Sequence, residues 1–133
     1  QLKAYLEQEL VRHPNLIVLG DFNIAPEDRD VHDVKSWQGK VLVSPLERQA
    51  LKEIMALGFK DSFRLFNNQS GHYTWWDYRA GAFRRNRGLR IDHILTSDAL
   101  TSRCIACDID KEIRLGEKPS DHVPVVASYQ NIS

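Results

Sequence analysis

Four residues, Leu16-Ile17-Val18-Leu19, constrain this chain more than any others. The run is wholly apolar, ends at Gly20 and gives way to Asp21-Phe22-Asn23. An unbroken apolar run bounded by turn residues reads as a buried central strand. Such a strand needs layers on both faces. It also leaves Asp21 at its carboxyl end, where open α/β sheets keep their sites.

The flanking pattern supplies the layers. Leu2, Tyr5, Leu6, Glu9 and Leu10 form a helical stripe that ends before Pro14. Residues 21–39 are polar and irregular, too long for a plain connector. Ser44-Pro45-Leu46-Glu47 then starts a second helix: Ser44 caps it, Pro45 suits the first turn and Glu47 completes the capping box. That helix carries Leu46, Ala50, Leu51, Ile54, Met55 and Leu57 and ends at Gly58. Four strand-like stretches follow, around residues 73–78, 89–96, 102–109 and 123–129. The order predicts an α/β fold, a mixed, mostly antiparallel sheet with flanking helices, and no internal domain boundary.

Charge matters by placement rather than by sum. Lysine and arginine number 18, as do aspartate and glutamate, so net charge alone implies no polyanion partner. Yet Asp21, Glu27, Asp28, Asp30 and Asp33 crowd one stretch, while Arg79, Arg84, Arg85, Arg87 and Arg90 fill another with no acid between them. No apolar run approaches the ~20 residues of a membrane span. Gln1 opens directly into a polar amphipathic segment, so no signal peptide and no membrane partner are expected. Cys104 and Cys107 lack further ligands at zinc spacing, and alternation along a strand puts their thiols on opposite faces. Two free cysteines fit a reducing cytoplasm.

The chemistry gathers at strand ends. Asp21 and Asn23, two apart, can share a hard cation or an attacking water, or simply close a polar turn. Asp92 lies within the apolar run Leu89–Leu95 and needs a partner, either a histidine or a structural arginine. His122, beside Asp121, can stabilise an oxyanion or move protons while Asp92 fixes its tautomer. Asp121 can bind metal. There is no Gly-x-Ser-x-Gly and no phosphate-binding loop. Hard oxygens beside a histidine favour Mg²⁺-assisted attack of water on phosphate. Trp75-Trp76 ahead of the arginine-rich loop suits a nucleic acid, with one tryptophan buried and one facing substrate.

Several blocks, taken together, resemble the exonuclease III family of apurinic/apyrimidinic endonucleases, within the endonuclease/exonuclease/phosphatase superfamily. They are Gly20-Asp21-Phe22-Asn23-Ile24-Ala25-Pro26, Trp75-Trp76-Asp77-Tyr78-Arg79, Asn86 to Asp92, and Lys118 to Val125. The likeness runs from about Leu16 to Tyr129. The resemblance implies half of a four-layer α/β sandwich and a nuclease cutting duplex DNA at abasic sites and 3′ ends with Mg²⁺, or with Mn²⁺. By motif, Asp21 is the acid/base, Asn23 binds phosphate, and Asp92 holds His122 against the scissile phosphate. Asp121 is a metal ligand, with Asp21, Asn23 and His122 around the same ion. Trp75 lines the abasic pocket, and Arg79, Arg87 and Arg90 are the expected DNA contacts.

Family members are about twice as long as this chain. Residues 1–133 therefore read as the C-terminal half, with the N-terminal half as its missing partner. That half supplies a glutamate ligand, an asparagine and a tyrosine, so the isolated chain is expected to be inactive and to expose an apolar sheet face. The alternatives are a half-domain that binds DNA weakly, or a relative acting on RNA, lipid or inositol phosphates.

Overall fold

A computed structural model of the chain describes residues 2–37, 42–77, 81–112 and 120–131. Helix α1 (Leu2–Arg12) precedes strand β1 (Ile17–Asp21). The short helix α2 (Val34–Trp37) and helix α3 (Pro45–Ala56) lead into β2 (Phe59–Asp61), β3 (Trp75–Trp76), β4 (Gly88–Leu89) and β5 (Asp92–Ser97). The short helix α4 (Asp98–Thr101) and strands β6 (Cys104–Ile109) and β7 (Val125–Tyr129) complete the order. The class is α/β, as expected, and every pairing among the described strands is antiparallel.

Among the described residues three small sheets form: β1-β5-β2, β3-β4 and β6-β7. The expected strand over residues 89–96 is split. Arg90 leaves the ladder to donate its backbone N–H to the Asp30 carbonyl at 2.9 Å, and Ile91 accepts from the Phe22 N–H at 3.0 Å. Thr96 ties the sheets together, with its hydroxyl 2.6 Å from Ser62 Oγ and 2.7 Å from the Tyr129 hydroxyl. Gly88 is needed for close approach: a Cβ there would meet the Trp75 carbonyl at 2.6 Å and the Trp76 indole at 2.7 Å.

Helix α3 begins as its residues dictate. Ser44 Oγ accepts from the Glu47 N–H at 3.2 Å and donates to Glu47 Oε1 at 2.8 Å, a cap worth about 1 kcal/mol. Leu51 and Ile54 turn inward with Leu6, Phe59 and Leu95 to form one core, while Leu46 is 85% exposed and is no part of it. A second cluster holds Ala25, Val31, Val43, Leu89 and Ile91, and a third holds Tyr73, Trp76, Ala82 and Val123.

Two expectations are corrected here. Strand β1 is not a central strand buried on both faces. It is the edge of its sheet, with Val18 turned to the core but Ile17 and Leu19 exposed, because no described layer covers that side. Nor do Cys104 and Cys107 face opposite ways. A register shift between Cys104 and Ala106 interrupts the alternation, and both thiols are buried and free. No helix among the described residues is long and apolar enough to cross a membrane.

Candidate active site

The register of β1 against β5 puts Asp21 directly opposite Asp92, at the end where one strand finishes and the other begins. Thr74 braces that corner. Its Oγ1 accepts from the N–H groups of Ile91 and Asp92 at 3.0 and 3.1 Å. The segment carrying His122 is strapped alongside: Val123 donates to the Thr74 carbonyl at 2.9 Å and Trp76 donates to the Asp121 carbonyl at 3.2 Å. A bridge between Trp75 and His122 completes the strap.

Two strand ends and the segment before β7, far apart in sequence, therefore deliver their polar groups to one place. Asp92 Oδ2 lies 2.8 Å from His122 Nδ1. A carboxylate only accepts, so Nδ1 carries the proton and Nε2 is the nitrogen left to act. Nε2 faces Asp21 Oδ2 at 3.7 Å and Asp121 Oδ1 at 3.9 Å. Each of those carboxylates is held by its other oxygen. Asp21 Oδ1 accepts from the Asn23 N–H at 2.9 Å, and Asp121 Oδ2 accepts from the Trp75 indole N–H at 3.1 Å. Asn23 itself stands at φ +53°, a left-handed turn residue, and it is exposed.

Electrostatics follow from this enclosure. Burial of the His122 ring works against its charge. The Asp92 hydrogen bond, and then the charges of Asp92, Asp21 and Asp121, outweigh it and hold the pKa above its ordinary 6.5. Asp21, Asp92 and His122 each offer a ligand atom within 4.8 Å of the others. Because Asp92 Oδ2 is committed to Nδ1, the oxygens of Asp21 and Asp121 on the Nε2 side are the better donors. Hard carboxylate oxygens of this kind fit a divalent cation such as Mg²⁺. A cleft of about 230 Å³ lined by Gly20, Asp21, Asp92 and Val123 opens here. A roomier cavity of about 750 Å³, near Arg48 and Lys52, contains none of these residues.

The remaining expected residues divide. Trp76 is fully buried, whereas Trp75 is half-buried and meets Trp37 edge-on, ring centres 6.3 Å apart. Arg87 is exposed, and Arg79 lies outside the described residues. Arg90 is a correction. It is 1% exposed, donating from Nε to Asp30 at 2.7 Å and from Nη2 to Asp61 at 2.6 Å, so it cannot reach DNA. It is part of the core. Sequence reasoning missed Thr74, which precedes the tryptophan pair, and the tie from Trp75 to Asp121. Nothing in a linear pattern marks either one.

Comparison with known proteins points the same way. Residues 1–122 match the Endonuclease/Exonuclease/phosphatase family. The chain is 40% identical over 97% of its length to exodeoxyribonuclease III of Haemophilus influenzae, covering 51% of that protein. It superposes on a 3′ phosphatase from Neisseria, solved bound to a product DNA hairpin, with a TM-score of 0.94 at 43% identity, over 97% of this chain and 50% of that one. An AP endonuclease from Archaeoglobus fulgidus gives 0.91 at 38% identity, over 98% and 51%. The chain thus spans about half the length of the relatives it matches. It belongs to the Endonuclease/Exonuclease/phosphatase family, and its relatives there are nucleases of the exodeoxyribonuclease III and AP-endonuclease kind.

Proposed function

We propose that this chain is the C-terminal half of a DNA-repair nuclease that hydrolyses phosphodiester bonds at abasic sites and 3′ ends of duplex DNA. The observation that carries the reading is His122, held at Nδ1 by Asp92 with Nε2 turned toward Asp21 and Asp121. The relatives' names support the reaction class, and the product hairpin in the Neisseria 3′ phosphatase supports a DNA substrate.

Asp21 takes the proton of the attacking water, and Asn23 helps seat the phosphate. His122, whose pKa Asp92, Asp21 and Asp121 raise, is placed to donate from Nε2 to a phosphate oxygen as negative charge grows there. Asp92 keeps the ring oriented. Asp21 and Asp121, with Asn23 and His122 beside them, would hold Mg²⁺ or Mn²⁺, which supplies charge neutralisation at the phosphate. Trp75, half-buried next to Asp121, faces the abasic sugar, while Arg79 and Arg87 contact the backbone.

Exposed Ile17, Leu19, Ile105 and Val126 are the surface that the N-terminal half would cover. Two free thiols fit a cytoplasmic protein. The test is cleavage of a duplex carrying one tetrahydrofuran abasic analogue, with Mg²⁺ present. The intact protein should nick it and the isolated 133-residue chain should not. Cleavage of an inositol phosphate or RNA substrate in preference to this duplex would overturn the assignment.

A further inference from the structure

We propose that His93 is a positioning residue: it holds the Ile24 carbonyl, and through it the Asp21–Asn23 turn, at a set distance from Asp92 and His122. The inference rests on the nuclease reading above and concerns a side chain that touches no substrate. His93 is 2% exposed and packs on Phe22, ring centres 5.7 Å apart. Arg90 Nη1 stands 3.2 Å from its Nδ1. A guanidinium has no acceptor, so Nδ1 must present its lone pair and the proton must sit on Nε2. Nε2 accordingly donates to the Ile24 carbonyl at 2.7 Å.

The guanidinium that dictates this tautomer is itself buried and held by two carboxylates. Asp61 takes both Nη groups, at 3.1 and 2.6 Å, and Asp30 takes Nε at 2.7 Å. A continuous chain Asp61–Arg90–His93–Ile24 thus ends one residue beyond Asn23, while the strand neighbour of His93 is Asp92. Asn23, at φ +53°, lies in the left-handed region, which asparagine adopts more readily than most non-glycine residues. The 3.7 Å approach of Asp21 to His122 depends on that turn staying in place.

The experiment uses the intact protein with Mg²⁺ and the tetrahydrofuran duplex, comparing His93→Leu with His93→Gln. Leucine keeps the apolar contact with Phe22 and loses both hydrogen bonds. Glutamine has a donor for Ile24 and an acceptor for Arg90. H93L should lower kcat on the order of 10²-fold, the scale of a misplaced catalytic group, with KM within about twofold. H93Q should restore most of kcat. A control variant, Leu51→Ala in the core, should lose stability without that loss of kcat. Wild-type kcat in H93L, equal losses in both His93 variants, or the same loss in L51A would each overturn the proposal. If the wild type does not nick the duplex, the nuclease reading fails. Positioning is then judged by NMR, where H93L must shift the Asn23 amide resonance and H93Q must leave it in place. A resonance unmoved by H93L overturns the proposal on its own.

Discussion

Two clusters of aspartate with basic partners sit within a few residues of each other, and they are built on opposite terms. Around Arg90, every charge is enclosed: Asp30, Asp61 and Arg90 are buried, and Arg64 adds a further bond to Asp30. Around His122, Asp21 and Asp121 are each anchored through one oxygen while the other faces Nε2, and the side chains of the cluster are 18–40% exposed. A buried ion pair stays only if its partners satisfy it fully, and once satisfied it has nothing left to react. A half-satisfied, half-wet cluster can still gain a cation, a phosphate or a proton. The same residue types serve as framework in one place and as chemistry in the other, according to solvent access.

The comparison breaks first at activity. In the intact protein, Asp21→Asn should cut turnover by about 10²–10⁴-fold, the usual share of a positioned acid/base group. Its urea midpoint should barely move, since Asp21 is exposed. A midpoint that collapses with activity would put Asp21 in the framework class. Asp30→Ala should do the reverse of a pure active-site change, costing about 3–5 kcal/mol in urea unfolding because Arg90 and Arg64 lose a common partner in the interior. Stability within 1 kcal/mol of wild type would show that the buried charges are dispensable.

Trp75→Phe sharpens the boundary between the two regions. A smaller aromatic ring remains against Trp37, and the 3.1 Å donation to Asp121 is lost. If Asp121 binds metal, the Mg²⁺ concentration for half-maximal cleavage should rise about 10- to 100-fold, as for other residues that orient a ligand. An unchanged Mg²⁺ requirement would leave Trp75 as a wall of the cleft alone.

The smallest effect is the pH dependence of stability. Burial, then the Arg90 charge, hold the His93 pKa below 6.5 in the fold, so below that pH the unfolded chain binds a proton that the folded chain refuses. Stability must therefore fall as pH drops through that window. Asp61 adds to the loss at lower pH. Burial opposes its charge, but Arg90 outweighs it and keeps the carboxyl below 3.8, so its contribution persists above that value and disappears as pH falls through the lowered one. His122 opposes both, because its raised pKa stabilises the folded state at low pH and the benefit fades as pH rises through it. Between pH 7 and 5 the wild type should lose more of its urea midpoint, relative to its own value at pH 7, than H93Q, which has no imidazole to protonate there. An identical slope in the two proteins would remove His93 from the account.

Local pattern was sufficient for some of this. The cap of α3, its closing Gly58, and the strand that ends at Asp21 all depend on neighbours a few residues away, and all were readable. The division of the tryptophan pair into one buried and one half-exposed ring follows from alternation along a strand. Arg90 was not readable. An arginine at the end of an acid-free basic loop looks solvent-facing, and its partners Asp30 and Asp61 lie 60 and 29 residues away in the chain. The cysteine pair was misjudged because one irregular step in β6 is invisible to a rule of strict alternation.

Residue types and their spacing determined that this chain builds an α/β layer, carries hard oxygen donors with a histidine at strand ends, and belongs to the Endonuclease/Exonuclease/phosphatase family. Which aspartates face the cleft and which are locked in the core was decided only by tertiary structure. An aspartate's chemistry depends on its dielectric surroundings and its remaining free oxygen. Both are set by segments that meet from 30 to 81 residues apart, distances over which composition and periodicity carry no information.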